Sequence, residues 1–437
     1  MYTAALKRLQ TMDPYARALY IINTIGLVAG TTYGMYYGIF LYRHTFSLSV
    51  LAIDGLMGGL GTWLGYMLGV VAVRRQGYNR CIRAAFVLWA LVALGTALIA
   101  NHITEWFILI GVLKALPGGI YSAVADTIML REVKTCARSG FFKLNLAIEF
   151  IGSIILPAVV GAVVRGADGY RWAFVAAAVV YASGLLVRWR LPKPTLSLDL
   201  RGLLGTFKRP LYIPHATNRT LATGFNQLNA FGLTIIPFLL LKNEFSMGLL
   251  TSMTALLAAG VALLSRRSKS QNSLKFAFGA QGVRNVFSLL FVLSWSAPFM
   301  MIWQLVGKLA TPLHDPVQQS LDIHNDSLIM GRDMKTRALQ INVLNNTLAF
   351  IGTSVAFTAF IAITRTDAHH QRYILELLTL AYAAWRIVNL AISAGINAQA
   401  QDATAYTPLW QRLAFRISLL TALLHTQRTR LLLAIRP

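Results

Sequence analysis

Twelve apolar runs divide the chain, and each is long enough to form a helix that crosses a membrane. About 20 apolar residues are needed for such a helix. Six runs precede a polar, proline-containing stretch at 190–212, and six follow it. The runs cover approximately residues 18–42, 46–72, 82–101, 106–128, 142–165, 171–189, 220–241, 246–264, 277–296, 298–323, 340–364 and 373–396. The pattern predicts an all-α integral membrane protein with six-helix bundles at 18–189 and 213–397 and a linker at 190–212.

Lysine and arginine are concentrated in alternate connections between the runs. They crowd the loops after the second, fourth, eighth and tenth runs and the linker, whereas the other loops hold few. Cytoplasmic loops carry this excess in membrane proteins. We therefore expect both termini and the linker to be cytoplasmic, in a plasma or bacterial inner membrane. The lead-in at 1–17 and the amphipathic tail at 398–437 would lie on that side.

The two halves repeat each other. Residues 131–135 read Arg-Glu-Val-Lys-Thr, and residues 332–336 read Arg-Asp-Met-Lys-Thr. The tripeptide Phe-Ile-Gly occurs at both 150–152 and 350–352, so the offset is 200 or 201 in each case. A charged pentad at a constant offset is poorly explained by chance. It predicts two bundles related by a parallel duplication.

Composition supports the membrane assignment and narrows the partners. The chain has 437 residues, of which 56% are hydrophobic and 13% charged, against about 25% charged in ordinary soluble domains. The net charge of +24 suits basic loops facing anionic lipid better than nucleic acid. There is no phosphate-binding loop motif and no metal-ligand spacing. We therefore expect no enzyme activity, no cofactor and no metal, and we expect a monomer.

Glycine recurs at every fourth position in the first two helices. The first helix has Gly26, Gly30, Gly34 and Gly38, and the second has a similar series at 61, 65 and 69. Small residues at this spacing let a neighbouring helix approach closely. Static packing and a face that slides during a conformational cycle both fit this pattern.

The plan of six plus six helices, with a basic linker and parallel halves, resembles the major facilitator superfamily. The segment 69–80, Gly-Val-Val-Ala-Val-Arg-Arg-Gln-Gly-Tyr-Asn-Arg, is similar to the family's loop motif between helices 2 and 3. Gly69, Arg74, Gly77 and Arg80 match that motif, and Val73 stands where the family has Asp. In the fourth helix, Lys114 takes the Arg position of an Arg-x-x-x-Gly motif. The resemblance implies a secondary transporter whose central site opens to alternate sides.

The resemblance also implies a cytoplasmic gate around the loop motif. Asp126, at the cytoplasmic end of the fourth helix, precedes Arg131, and the repeat places Arg332 in the corresponding loop of the second half. We expect gating or structural contacts at these three residues.

Ionisable residues within the apolar runs are candidates for coupling transport to protons, because an ionisable group is costly in hydrocarbon and usually faces a partner or a cavity. Lys114 and Glu149 lie in adjacent helices at similar depths, and a pair between them would load and release a proton. A static ion pair is the alternative. Asp54, in the second helix, is a further candidate.

Other polar residues within the runs are candidates to line a solute path, although they suit contacts between helices equally well. These candidates are Tyr33, Tyr37, Asn226, Asn229, Lys308, His314, Asn342, Asn345 and Asn346. Arg386, in the middle of the twelfth run, has no neutralising partner evident in the sequence.

These observations predict proton-coupled transport of a small organic solute. Lys114, Lys308 and His314 favour an anionic or amphiphilic solute, whereas Asp54 and Glu149 leave a drug–proton antiporter open. A transport-silent receptor or assembly protein and a lipid flippase are further alternatives.

Overall fold

The computed structural model describes residues 14–129, 135–165, 168–187, 191, 212–265, 273–330, 334–366 and 371–400. Most of the predicted lead-in, linker and tail therefore lie outside the described residues, as do Arg131 and Arg332. The described chain forms twelve long helices and no strands. They are α1 Pro14–Thr45, α2 Leu48–Gln76, α3 Tyr78–Leu98, α4 Ile103–Thr127, α5 Thr135–Val164, α6 Gly169–Ser183, α7 Tyr212–Leu241, α8 Glu244–Ser265, α9 Ser273–Ser294, α10 Ala297–Met330, α11 Met334–Thr366 and α12 Gln371–Ala400.

Each predicted apolar run corresponds to one of these helices, so the expected all-α class is confirmed. In the described residues, nine helices have a stretch that is long and apolar enough to cross a membrane. The chain is thus an integral membrane protein. The helices α10 and α11 are longer than their apolar runs. Their additional turns are rich in charged and amide residues.

Successive helices run in opposite directions, so every connection lies at one of two faces. We call the face where α1 begins the near side and the face where α1 ends the far side. The near side carries the loops that the basic residues predict to be cytoplasmic. The connections on the far side are short, as between α7 and α8, where Asn243 accepts hydrogen bonds from the amides of Phe245 and Ser246.

The packing of the first six helices recurs in the last six. In the first half, α2 packs on α4, α3 packs on α6, and α1 packs on both α5 and α6. In the second half, α8 packs on α10, α9 packs on α12, and α7 packs on both α11 and α12. Each pair is thus the earlier pair shifted by six helices, which confirms the two parallel-related bundles. Across the interface, α5 packs on α8 and α2 packs on α11.

The glycines of α2 bring its backbone into contact with α4. A Cβ atom added at Gly61 would collide with the carbonyl of Val112, and one added at Gly65 would collide with the carbonyl of Leu116. These glycines therefore serve close packing within one bundle. The glycines of α1 behave differently, because a Cβ atom added at Gly34 would meet nothing within 4 Å. The expectation of a close helix neighbour is right for α2 and wrong at that position of α1.

This contrast predicts different effects for two equivalent substitutions. We expect Gly65→Ala to destabilise the protein by about 1–3 kcal/mol, since the new methyl group forces α2 away from α4. Gly34→Ala, the matched control, should change stability by less than about 0.5 kcal/mol. Thermal unfolding of the two purified variants in detergent measures the difference. Equal stability of the two variants would contradict the proposed backbone contact.

Candidate functional site

A polar cavity of about 300 Å³ lies in the second bundle where that bundle faces α1, near the middle of the helices. Arg284 is the twelfth of the 22 residues of α9, and Arg386 is the sixteenth of the 30 residues of α12. Met35 of α1 lines the cavity from the first half. The remaining wall belongs to the second half: Asn229, Leu233, Thr234, Thr251, Thr254, Arg284, Trp303, Gln304, Gly307, Lys308, Thr311, Asp315, Tyr382 and Arg386.

Neutral side chains in this wall are held in place by hydrogen bonds. The indole nitrogen of Trp303 donates to Ser288 Oγ at 3.0 Å, and Gln304 Nε2 donates to the carbonyl of Leu233 at 3.3 Å. The hydroxyl of Thr311 donates to the carbonyl of Gly307 at 3.0 Å. These hydrogen bonds fix the orientation of three side chains on the cavity wall.

Arg386 is neutralised by Asp315 of α10. Its Nη2 atom lies 2.6 Å from Asp315 Oδ1 and 2.8 Å from His314 Nδ1. Its Nη1 atom donates to the hydroxyl of Tyr382 at 3.1 Å, and its Nε donates to Gln281 Oε1 at 3.4 Å. The partner that the sequence left open for Arg386 is therefore the carboxylate one residue beyond His314.

A second charged group lies within the first bundle, between α2 and α4. Lys114 Nζ forms an ion pair with Asp54 Oδ2 and lies 3.9 Å from the centre of the Tyr37 ring. The Tyr37 hydroxyl donates to Asp54 Oδ1 at 3.2 Å. The carboxylate side chain is only 8% exposed. Gly111 makes room for it, because a Cβ atom there would come within 3.0 Å of Asp54 Oδ1.

The structure thus pairs Lys114 with Asp54, and the suggested pair with Glu149 stays a prediction. Side chains on a helix tilt toward its N-terminus. Since α4 begins on the far side, Lys114 leans toward the far side, where Asp54 is the seventh residue of α2. The helix α5 begins on the near side, so Glu149 leans the other way, and it is exposed.

Five of the predicted path residues lie in three places. Asn229 and Lys308 line the cavity, and His314 lies buried behind it against Asp315 and Arg386. Tyr33 and Tyr37 belong to the core of the first bundle, where their rings stack at 5.5 Å.

The four remaining amides do not line the cavity. Asn226 is exposed on α7, and Asn345 is buried on α11. Asn346 donates at 2.9 Å to the carbonyl of Asn342, within the same helix.

The matched loop motif forms the near-side turn between α2 and α3. Gly77 has φ 83°, a value that favours glycine, and it ends α2. Val73 is fully buried, in keeping with its apolar side chain, while Arg74 and Arg80 are exposed. Gly69 packs against Ile120 and Ala123 of α4.

Asp126 lies at the near-side end of α4 and contacts the first bundle. Its Oδ2 accepts a hydrogen bond from the hydroxyl of Tyr66 at 3.3 Å. Arg219, on α7 of the second bundle, is close enough to Asp126 for electrostatic attraction. The carboxylate therefore has neighbours in both bundles.

The two bundles touch each other on the far side of the cavity. Arg43, near the end of α1, forms a 2.7 Å ion pair with Glu244 at the start of α8. Glu244 also accepts a 2.7 Å hydrogen bond from Tyr170. Ser49 of α2 donates to Thr364 of α11 at 2.8 Å. These contacts close the space between the bundles toward that face.

A second cavity, of about 340 Å³, lies between α7, α11 and α12. Its wall is almost wholly apolar, with Phe225, Leu228, Phe360 and Ile374 among the lining residues. Such a wall offers a polar solute few hydrogen-bonding partners. The polar cavity is therefore the candidate solute site.

Solved structures of membrane transporters share this arrangement of helices. A partially occluded inward-open structure of the xylose transporter XylE from E. coli aligns with a TM-score of 0.61 at 13% identity, over 86% of this chain and 98% of that one. This chain has the major facilitator fold. A mutant of the nucleoside transporter NupG gives a TM-score of 0.61 at 14% identity, over 87% of this chain and 99% of that one.

A POT family transporter in complex with 5-aminolevulinic acid shares the major facilitator fold as well. It aligns with a TM-score of 0.60 at 13% identity, over 90% of this chain and all of that one. No family model matches the sequence, and no curated protein does. Identity this low shows the fold alone.

Sequence reasoning missed one of the cavity cations, Arg284. It stands near the middle of the ninth apolar run, and the rule that singled out Lys114 applies to it equally. The aromatic partner Tyr382 and the single first-bundle residue Met35 were also missed. Neither residue type is unusual in a membrane helix, so no local signal marks them.

The pair between Asp54 and Lys114 predicts a compensating double substitution. Asp54→Asn should destabilise the protein by roughly 3 kcal/mol, because it leaves the partly buried ammonium of Lys114 without its counter-charge. Adding Lys114→Gln removes that charge and should restore most of the loss. The exposed pair of His102 and Glu105 supplies the control, Glu105→Gln, which should change stability by under about 1 kcal/mol. Thermal unfolding in detergent tests this cycle, and additive losses in the double variant would disprove the pair.

Proposed function

We propose that the chain is a secondary transporter that moves a small organic solute across the membrane by alternating access. The observation that carries this proposal is the polar cavity at mid-height, where the second of two parallel-related bundles faces α1 of the first. A site in this position is exchanged between the two faces when one bundle rocks against the other. The contacts of Arg43 and Ser49 with the second bundle close the far side.

The interface between the bundles suits a rocking motion. Gly55 and Gly59 of α2 let Phe357 and Thr353 of α11 approach closely. The polar contacts across this interface are individual hydrogen bonds, such as the 3.2 Å bond from Trp63 Nε1 to Thr347 Oγ1. An interface of this kind can break on one side without disturbing the interior of either bundle.

We further propose that Asp54 carries the coupling proton. Protonation would neutralise the carboxylate that holds Lys114 and release the ammonium group. Asp54 adjoins Gly55, which packs against Phe357 across the interface. A change in the pair at Asp54 therefore acts directly on the contact between α2 and α11. This position explains how a proton bound in the first bundle would influence the opening of the cavity.

Transport by purified protein in sealed vesicles tests both parts. The vesicles contain a pH-sensitive dye, and the solutes added in turn are a pentose, a nucleoside, a dipeptide and a dicarboxylate. We expect that adding one of these solutes changes the pH inside the vesicles, and that it does so only when the vesicles contain the protein. Solute flux without any proton movement would contradict the coupling, and absence of flux for every class would contradict transport of these solutes.

Two variants identify the proton carrier. Asp54→Asn should abolish proton movement, because its side chain no longer titrates, while exchange of labelled solute across the membrane persists. Glu149→Gln, the matched control, should retain proton movement. The reverse pattern would assign the proton to Glu149.

A further inference from the structure

The wall of the polar cavity carries more positive than negative charge. Arg284, Lys308 and Arg386 supply three cations, and Asp315 is the one acid among the lining residues that the structure describes. The balance is three minus one, or +2. Buried charges in proteins are normally paired, because an unpaired charge in a poorly solvated site is costly.

The negative charge of Asp315 is committed to Arg386. Their 2.6 Å contact is reinforced by hydrogen bonds from Arg386 to Tyr382 and Gln281. These partners occupy all three nitrogens of that guanidinium group. Asp315 also attracts Arg284 and Lys308 electrostatically, but one carboxylate cannot balance three cations.

Among the described residues, Arg284 forms no ion pair like that of Arg386, and its side-chain hydrogen-bond partner is the neutral Tyr382. Arg284 is 5% exposed, and its buried Nε atom has no hydrogen-bond partner in the described part of the chain. Its guanidinium group lies over the ring of Tyr382, with the Cζ atom 5.0 Å from the ring centre. A cation held against an aromatic ring is stabilised only in part.

Gly307 of α10 lies beside Arg284. A Cβ atom added there would lie 3.6 Å from Arg284 Nε, in ordinary contact. Lys308, the next residue of α10, and Thr311, one turn beyond Gly307, also line the cavity. A donor-rich space thus faces an arginine whose Nε atom lacks an acceptor among the described residues.

We infer that an anionic group of the solute is the missing counter-ion and binds between Arg284 and Lys308. This inference rests on the proposed transport function, since it takes the cavity as the solute site. A guanidinium fork and an ammonium group together suit a carboxylate or a phosphate. The hydroxyl groups of Thr251 and Thr254 and the amide of Asn229 provide hydrogen bonds for the uncharged remainder. The solute class is therefore a small organic anion.

Binding to the purified full-length chain tests the inference. The probes are succinate, inorganic phosphate and 1,4-butanediol, which is the uncharged counterpart of succinate. We expect succinate or phosphate to raise the unfolding temperature and butanediol to leave it unchanged, because a ligand that binds the folded state stabilises it. Protection by succinate alone indicates a carboxylate site, and protection by phosphate alone indicates a phosphate site. Equal protection by butanediol, or protection by none of the probes, would overturn the inference.

Variants locate the site. Arg284→Gln and Lys308→Gln should each weaken binding of the protecting anion by at least about tenfold. Arg372→Gln, on the same helix as Arg386 but paired with Glu376 at the far side, removes one positive charge outside the cavity and should leave the affinity unchanged. Equal weakening in all three variants would show a general charge effect and would overturn the site.

A second readout separates binding from folding. Without ligand, Arg284→Gln should unfold at the same or a higher temperature than the parent protein, since it removes an uncompensated charge. A lower unfolding temperature would mean that Arg284 is already paired and would overturn the inference. Anion binding without transport would refute the proposed function and leave this site standing, so the two failures are distinguishable.

Discussion

Neutralisation of buried charge is the constraint on which the central part of this molecule depends. Hydrocarbon and tightly packed helices offer an isolated charge little solvation, so each ionisable side chain at mid-membrane needs a partner or a polar cavity. In the first bundle, Lys114 meets this need with Asp54 and Tyr37. In the second bundle, Arg386 meets it with Asp315. On the described cavity wall, Asp315 is the one acid for Arg284 and Lys308 as well, and we propose that a solute balances the remaining positive charge.

The two halves share a scaffold and differ in their charges. Helix pairs recur with a shift of six, so the duplication accounts for the packing. The charged groups do not recur, since Lys114 contacts α2 of its own bundle while His314, at the equivalent position of the second half, lies against Arg386 of α12. The first bundle thus holds a balanced pair suited to a proton, and the second holds a surplus of cations suited to an anion. In the proposed function, this division gives one ligand to each half.

Most of the fold could be predicted from the sequence, because membrane helices can be recognised by the length and apolarity of their segments. The repeated pentad indicated parallel halves, and the glycines of α2 indicated a close neighbour. The site was harder to predict. Lys114 was recognised as an ionisable residue within an apolar run. Its partner, Asp54, could not be predicted, because the sequence does not show which way the side chains point. Arg386 was recognised as unbalanced, and Asp315 is distant in sequence although it is 2.6 Å away in space. Arg284 carried the same signal as Lys114, and only the cavity made its role apparent.

An experimental structure with a bound anion tests the central claim most directly. Crystals or frozen particles prepared with the protecting anion should show its density in the polar cavity. The account predicts oxygen atoms of the anion at about 3 Å from the side-chain nitrogens of both Arg284 and Lys308, with the ion pair of Arg386 and Asp315 intact. A protein carboxylate occupying that position, or an anion bound instead at Lys114, would contradict it.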